Sequence, residues 1–360
     1  MSAADIARLR LRAQRIAATS FRQPHEVVEW LGAVQAQDYL GALWAVGLRL
    51  ERAGEADVER ALAGRTLLRT WPLRGTLHFV PARDARWMLR LTAPRIVARA
   101  ARRYRELGLD AATFARSRRL LVPALEGGRR LTRPAAFQLL QAAGISTAGQ
   151  RGIHLLARHA LEGVLCYGPR EGKQQSFVLL DEWAPAPRAL ERDEALAEIA
   201  RRYFTGHGPA TAADFTWWTG LVAADVRAAI DLAGTRLRRE RIGDRTYWSG
   251  ERGRPAGTGA PRATLLPAFD ELVVGYRDRS ALYHPAHGRE INPGGNGMLS
   301  PTVVLDGRVV GTWRRTLGRK GVAVEPALFA PLDRGGLRAL SAASERYARF
   351  LGLPRVERAS

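Results

Sequence analysis

Two glutamines and an aspartate, Gln35-Ala36-Gln37-Asp38, lie within an otherwise apolar segment, GAVQAQDYLG, residues 32–41. A glutamine amide has no titratable proton and is a poor nucleophile, so the chemistry open to the pair is positioning. Two amides that accept and donate hydrogen bonds can hold a water or a polar substrate edge. The plainer alternative is that both satisfy buried backbone groups near a helix end. In a continuous helix, residues two apart point about 200° from one another and would not share a pocket. A break in the chain would let them converge, and Asp38 is placed to cap a helix starting at Tyr39.

Other polar residues that could join such a site are scattered. Arg74, Thr76 and His78 fall together in RTWPLRGTLH (residues 69–78). They read either as a hairpin with a satisfied histidine or as one wall of a pocket near the glutamines. Asp270, in Phe269-Asp-Glu271 ahead of a strand-like run, is structural or a minor member of the site. Trp217 and Trp218 read as core anchors of a short capped helix. The pair His284-Pro-Ala-His287 is a weak metal signal without cysteine or acidic companions, so no metal is expected. Gly294-Gly-Asn-Gly297 lacks the Lys-Ser/Thr of a phosphate loop and reads as a mobile loop; no cofactor is expected.

The elements that must position these residues follow a repeated plan. Thr132 caps a helix running to Gly144, a second helix spans about 149–161, and two strands near 164–168 and 175–180 flank a basic turn. Thr211-Ala-Ala-Asp214 is a capping box for a short helix that Gly220 ends. A helix over 224–232 and strands over 237–242 and 245–248 complete it. Helix, turn, helix and hairpin thus occur twice, the winged-helix order. The N-terminal part fits less cleanly, with helices near 4–17, 24–34, 39–50 and 56–62, a hairpin over 67–80 and a helix over 82–105. Beyond a linker at 252–261 the tail is β-rich, with Asp306-Gly307 a strong hairpin signal and a last helix over 337–351. The expected modules are therefore 1–105, 106–188, 189–252 and 262–360: an α+β chain, mostly α, with three tandem winged-helix units and a C-terminal β-hairpin-rich segment.

The chain carries 56 Lys and Arg against 35 Asp and Glu, a net charge of +21, in 360 residues. An excess that large makes a polyanion the default partner. Lys173 and Lys320 are the two lysines, and Cys166 is the one cysteine, so an internal disulfide and a cysteine zinc site are both excluded. The start, MSAADIARLRLRAQRI, has no apolar signal core, and no run approaches the ~20 apolar residues of a membrane span, so the expected setting is the cytoplasm.

Five stretches together resemble the AlkZ/YcaQ family of winged-helix DNA glycosylases: QAQD (35–38), RTWPLRGTLH (69–78), GHGPATAADFTWWTG (206–220), LPAFD (266–270) and DGRVVGTWR (306–314). They occur in consistent order across nearly the whole chain. The resemblance implies a C-shaped, DNA-embracing scaffold of three winged helices that excises bulky N7-alkylated purines, including one end of interstrand crosslinks. Its Gln-x-Gln branch makes Gln35 and Gln37 the catalytic residues, holding a water at the sugar C1′ face. Asp38, Thr76, His78 and Asp270 are candidates for the pocket. Arg74, Arg151, Arg277, Arg279, Arg314 and Arg315 are candidates for DNA contact, or else a solvated charged face. No lysine lies near the motif to form a Schiff base, so a monofunctional N-glycosylase without cofactor is expected, a monomer acting on double-stranded DNA that carries alkylated purines. The rival is a non-catalytic winged-helix transcription regulator, whose recognition helix would present Gln150, Arg151 and His154. A nuclease would need an acidic cluster that is missing.

Overall fold

Local signals start several of the helices. Asp110, Thr132, Thr211 and Asp333 each sit at an N-cap and accept from the backbone N–H three residues on, worth about 1 kcal/mol apiece. The computed structural model describes residues 3–17, 19–250 and 262–356, a mixed α/β chain about half helical. The linker expected over 252–261 lies outside the described residues. Among the described residues no helix is long and apolar enough to cross a membrane.

Three sheets organise the strands. The first has the order β1-β3-β2-β5-β6-β4. Its members are β1 (Val34–Gln35), β2 (Leu67–Leu73), β3 (Thr76–Pro81), β4 (Leu131–Thr132), β5 (Leu165–Tyr167) and β6 (Ser176–Leu179). It joins the N-terminal hairpin to the strands of the middle segment through an antiparallel bridge of Arg69 to Tyr167. The second is the hairpin β7 (Arg238–Ile242) and β8 (Arg245–Ser249). The third, ordered β12-β11-β10-β9, contains β9 (Ala263–Leu266), β10 (Thr302–Leu305), β11 (Arg308–Gly318) and β12 (Gly321–Leu328). Asp306 and Gly307 turn β10 into β11 with φ of 48° and 92°, the left-handed pair a tight hairpin needs.

Two long helices of the fold have no counterpart in the reading of the sequence: Ala111–Leu125 and Arg192–His207. The second packs against the helices Pro24–Leu31, Ala212–Thr219 and Ala223–Ala233, burying Tyr203, Phe204 and Ile199. The strand-like run after Asp270 is instead a short helix, Glu271–Val274, because the Asp270 carboxylate accepts from the Leu272 N–H at 2.9 Å and starts a helical turn.

The N-terminal helices Pro24–Leu31 and Tyr39–Gly47 share one core with the third sheet and the final helix, Arg334–Phe350. Trp44 meets the rings of Tyr347 and Phe350 at 5.1 and 5.0 Å, burial worth roughly 1.5–3 kcal/mol for each ring. Chain ends far apart in sequence are thus locked together beside the Gln-x-Gln segment.

Candidate active site

Gly32, at φ 84°, ends the helix Pro24–Leu31 and turns the chain into β1. A Cβ there would be strained and would press on the Trp218 ring at 3.3 Å. Gln35 therefore sits on an edge strand and Gln37 in the bend that follows it, not at a junction between two helices. The ladder continues past Gln35, with the Ala36 N–H donating to Leu77 O at 2.7 Å.

Each part of the tripeptide is held. The Gln35 N–H donates to Glu271 Oε1 at 2.8 Å, and Gln35 Oε1 accepts from Arg74 Nη2 at 2.9 Å. The Ala36 carbonyl accepts from both Nη2 and Nε of Arg69, at 2.7 and 3.0 Å. Gln37 Oε1 accepts from the Leu77 N–H at 3.3 Å. Gln35 is only 7% exposed while Gln37 is exposed, and neither amide nitrogen has a hydrogen-bond partner among the described residues. Both NH₂ groups are left to face something other than protein.

Glu271 is fully buried and is the hub behind Gln35. Its Oε2 accepts from His207 Nε2 at 3.2 Å and from Trp218 Nε1 at 2.9 Å. Burial opposes its ionisation, but the hydrogen bond from His207 and the nearby Arg74 cation outweigh that, and its pKa falls to about 2. His78 stands opposite Gln35 across β1 and β3. Its Nδ1 lies 2.9 Å from Thr76 O, so Nδ1 carries the hydrogen and Nε2, which has no partner, is the accepting nitrogen. Burial, aided by Arg74, lowers its pKa to about 4 and keeps the ring neutral. The Thr70 hydroxyl, opposite His78 on β2, is likewise buried and unpartnered.

The remaining candidates from the sequence divide. Asp38 occupies the N-cap position of Tyr39–Gly47 and its carbonyl accepts from Ala42, but its exposed carboxylate makes no capping bond. Thr76 donates to Leu73 O at 3.2 Å and belongs to the hairpin itself. Asp270 is fully buried against Arg49 and is a structural residue. Arg74 is turned inward, with Nη1 on Trp218 O and Nη2 on Gln35. Arg151 braces a loop through the carbonyls of Leu107, Gly108 and Ser146. Arg279 Nε donates to Val273 O at 2.8 Å, and Arg315 donates to the Tyr347 hydroxyl. Arg277 and Arg314 are exposed. His284 accepts from the Ala286 N–H and His287 stacks on Phe329 at 4.0 Å, so each is occupied locally.

Beyond the inward-turned Arg74 opens a cleft of about 590 Å³ lined by Arg95, Arg99, Arg277, Trp217 and Val222. Arg95, Arg99 and Arg277 have no ion-pair partner among the described residues. Trp218 is a core anchor as expected, but Trp217 is 44% exposed with its Nε1 tied to Val274 O. Arg95 and Arg99 were not singled out in the sequence; their four-residue spacing on the helix Ala85–Glu106 is the signal that could have found them.

Three of the stretches singled out in the sequence thus converge on one point: Arg69 to His78, His207 to Trp218, and Asp270 with the following Glu271 all surround Gln35. Arg74 links this polar motif on its edge strand to the arginine-lined cleft. The family model "DNA glycosylase AlkZ-like" matches residues 28–350, and the chain belongs to that family and is a DNA glycosylase. It is 27% identical over 352 residues, 92% of this chain and 91% of the other, to the "Interstrand DNA cross-link repair glycosylase" of Streptomyces sahachiroi. The solved structure of Streptomyces sahachiroi DNA glycosylase AlkZ superposes with a TM-score of 0.78 at 25% identity, covering 99% of this chain and 98% of that one.

Proposed function

We propose that the chain is a monofunctional DNA-repair N-glycosylase that hydrolyses the N-glycosidic bond of N7-alkylated purines, including bulky adducts and interstrand crosslinks. The observation that carries this reading is the held Gln35-Ala36-Gln37 tripeptide, whose two amide nitrogens have no partner among the described residues and which Arg74 ties to the basic cleft. The likeness to a crosslink repair glycosylase supports the crosslink part of the substrate range.

An N7-alkylguanine is already cationic. When its N9–C1′ bond breaks, the bonding pair returns to the purine, which leaves neutral, so no strong general acid is required. What remains is an oxocarbenium ion at C1′ that needs a water on its open face. The amides of Gln35 and Gln37 hold that water. Its oxygen bonds to C1′ and its proton passes to solvent, with the exposed Asp38 carboxylate close enough in sequence to favour positive charge. Positioning of this kind contributes up to several kcal/mol. Neither lysine is among the residues that hold the tripeptide, so no Schiff base forms and the DNA strand stays intact.

The helix pairs Arg133–Ala142 with Arg151–Leu161 and Ala212–Thr219 with Ala223–Ala233, each followed by a hairpin, support reading the scaffold as tandem winged helices around duplex DNA. The test is single-turnover release of free base from duplexes carrying 7-methylguanine, a bulky N7 adduct or an N7–N7 crosslink. Released base with an uncut abasic strand is the expected product. No release from any of the three would overturn the assignment of N7-alkylated purines as substrate.

A further inference from the structure

Two features around Gln35 go beyond the pair of amides. Arg74 and Gly75 form the two-residue turn between β2 and β3, with Leu73 paired to Thr76 and φ of 54° and 77°. That turn favours Asn-Gly, because a side chain at the first position is strained in the left-handed region. An arginine held there despite the strain points to a task for its side chain, and its guanidinium reaches inward to Gln35 Oε1 and Trp218 O. The second feature is Glu271, a fully buried carboxylate whose two oxygens accept from three donors: the Gln35 N–H, His207 Nε2 and Trp218 Nε1.

We propose that Arg74 and Glu271 are positioning residues that hold Gln35 from its two ends, Arg74 fixing the amide and Glu271 fixing the backbone. The proposal rests on the reading of Gln35 as a catalytic amide. The two ends of a glutamine amide are nearly the same size, so an unheld amide turns over and presents oxygen or nitrogen alike. A donor from Arg74 removes that choice: the oxygen faces Arg74 and the NH₂ faces the open side. Glu271 does the corresponding work on the main chain. A neutral glutamine in its place has one accepting oxygen and cannot serve donors arriving from both sides.

The experiment compares Arg74→Met, Arg74→Lys and Glu271→Gln with the native enzyme, each also in a Gln35→Ala background. The readouts are single-turnover release of 7-methylguanine at saturating protein, Kd for the same duplex, and the NMR shift of the Gln35 backbone amide. Expected are saturating rates lowered roughly 10- to 100-fold for Arg74→Met and Glu271→Gln, with Kd changed less than about threefold. Arg74→Lys, which keeps one donor, should recover part of the rate, and Glu271→Gln should move the Gln35 amide proton upfield. In the Gln35→Ala background both losses should shrink to about threefold or less. Weakened binding with an unchanged saturating rate in Arg74→Met would make Arg74 a phosphate contact and overturn its positioning role. A full loss retained in the Gln35→Ala background would equally overturn the proposal. Should Glu271→Gln not fold, Arg74→Met decides the matter alone. A Gln35→Ala enzyme as fast as the native one sinks the reading of Gln35 itself, whereas a slow Gln35→Ala beside a fast Arg74→Met sinks only the positioning role.

Discussion

Arg49 and Asp270 face each other through two parallel hydrogen bonds, Nη1 to Oδ2 at 2.8 Å and Nη2 to Oδ1 at 2.9 Å, with neither side chain exposed. The other three guanidinium hydrogens go to Gln14 O, Gln14 Oε1 and Ala45 O. All five donors of a buried cation are therefore used. Asp270→Ala removes the counter-charge and two acceptors at once, and breaking such a pair costs about 3–5 kcal/mol. Urea unfolding at neutral pH should show that loss. A change under 1 kcal/mol would mean that the pair contributes little to stability.

Gln35→Ala and Gln37→Ala should each slow base release by about 10- to 1000-fold, ~1–4 kcal/mol of barrier, with DNA affinity nearly unchanged. The double variant should cost less than the sum, since a water that has lost one anchor gains little from the other. Gln37→Glu, whose carboxylate keeps the length of the amide and can still accept from a water, should keep measurable excision. Single-turnover rates measured beside melting temperatures separate chemistry from folding, and unchanged rates in both alanine variants would make the amides structural.

Acid should destabilise the protein in two windows. His78 titrates at about 4 when folded against an ordinary 6.5. Between those values the unfolded chain binds a proton that the folded one does not, so stability falls as pH drops from 6.5 towards 4, by up to about 3 kcal/mol. Glu271, at about 2 against 4.5, is the depressed-carboxylate case. Its stabilisation is present above 4.5 and is lost as pH falls towards 2. Unfolding free energies measured at pH 7 and pH 5 check the first window. A folded His78→Gln variant should lose most of the difference, and an unaltered pH response in that variant would assign the effect elsewhere.

Affinity for undamaged duplex should fall on the order of a hundredfold or more between about 50 and 200 mM salt. Replacing Arg99 or Arg277 by alanine should reduce the slope of log Kd against log salt by about 1 each. Arg151→Ala should leave that slope alone, because its guanidinium is already spent on three backbone carbonyls. The same slope change for all three would show that inward-turned arginines also reach the DNA.

What the sequence made legible was local. The Thr211 capping box, the 67–80 hairpin and the Asp306-Gly307 turn each declare themselves within four to fourteen residues, and each appears where expected. The helix Arg192–His207 has no Ser, Thr, Asp or Asn at its N-cap to announce it, only Glu191. The run from Glu271 to Val274 misled because Val-Val favours strands, yet one aspartate cap outweighed that preference. The Gln-x-Gln pair was legible as a motif. Its anchors were not, since nothing in the chemistry of Arg69, Arg74 or Glu271 alone says which carbonyl or amide each will meet.

Glu271 stands 236 positions after the residue whose backbone it holds. During synthesis the hairpin and both glutamines leave the ribosome early, and His207 and Trp218 follow. For that interval the Gln35 N–H, the imidazole and the indole all lack the acceptor that will join them. A nascent chain stopped anywhere before residue 271 can form the Arg74 hairpin but holds Gln35 at one end only. Maturation of this centre is thus timed by its C-terminal portion, and a prematurely released chain would carry the motif intact without the arrangement around it.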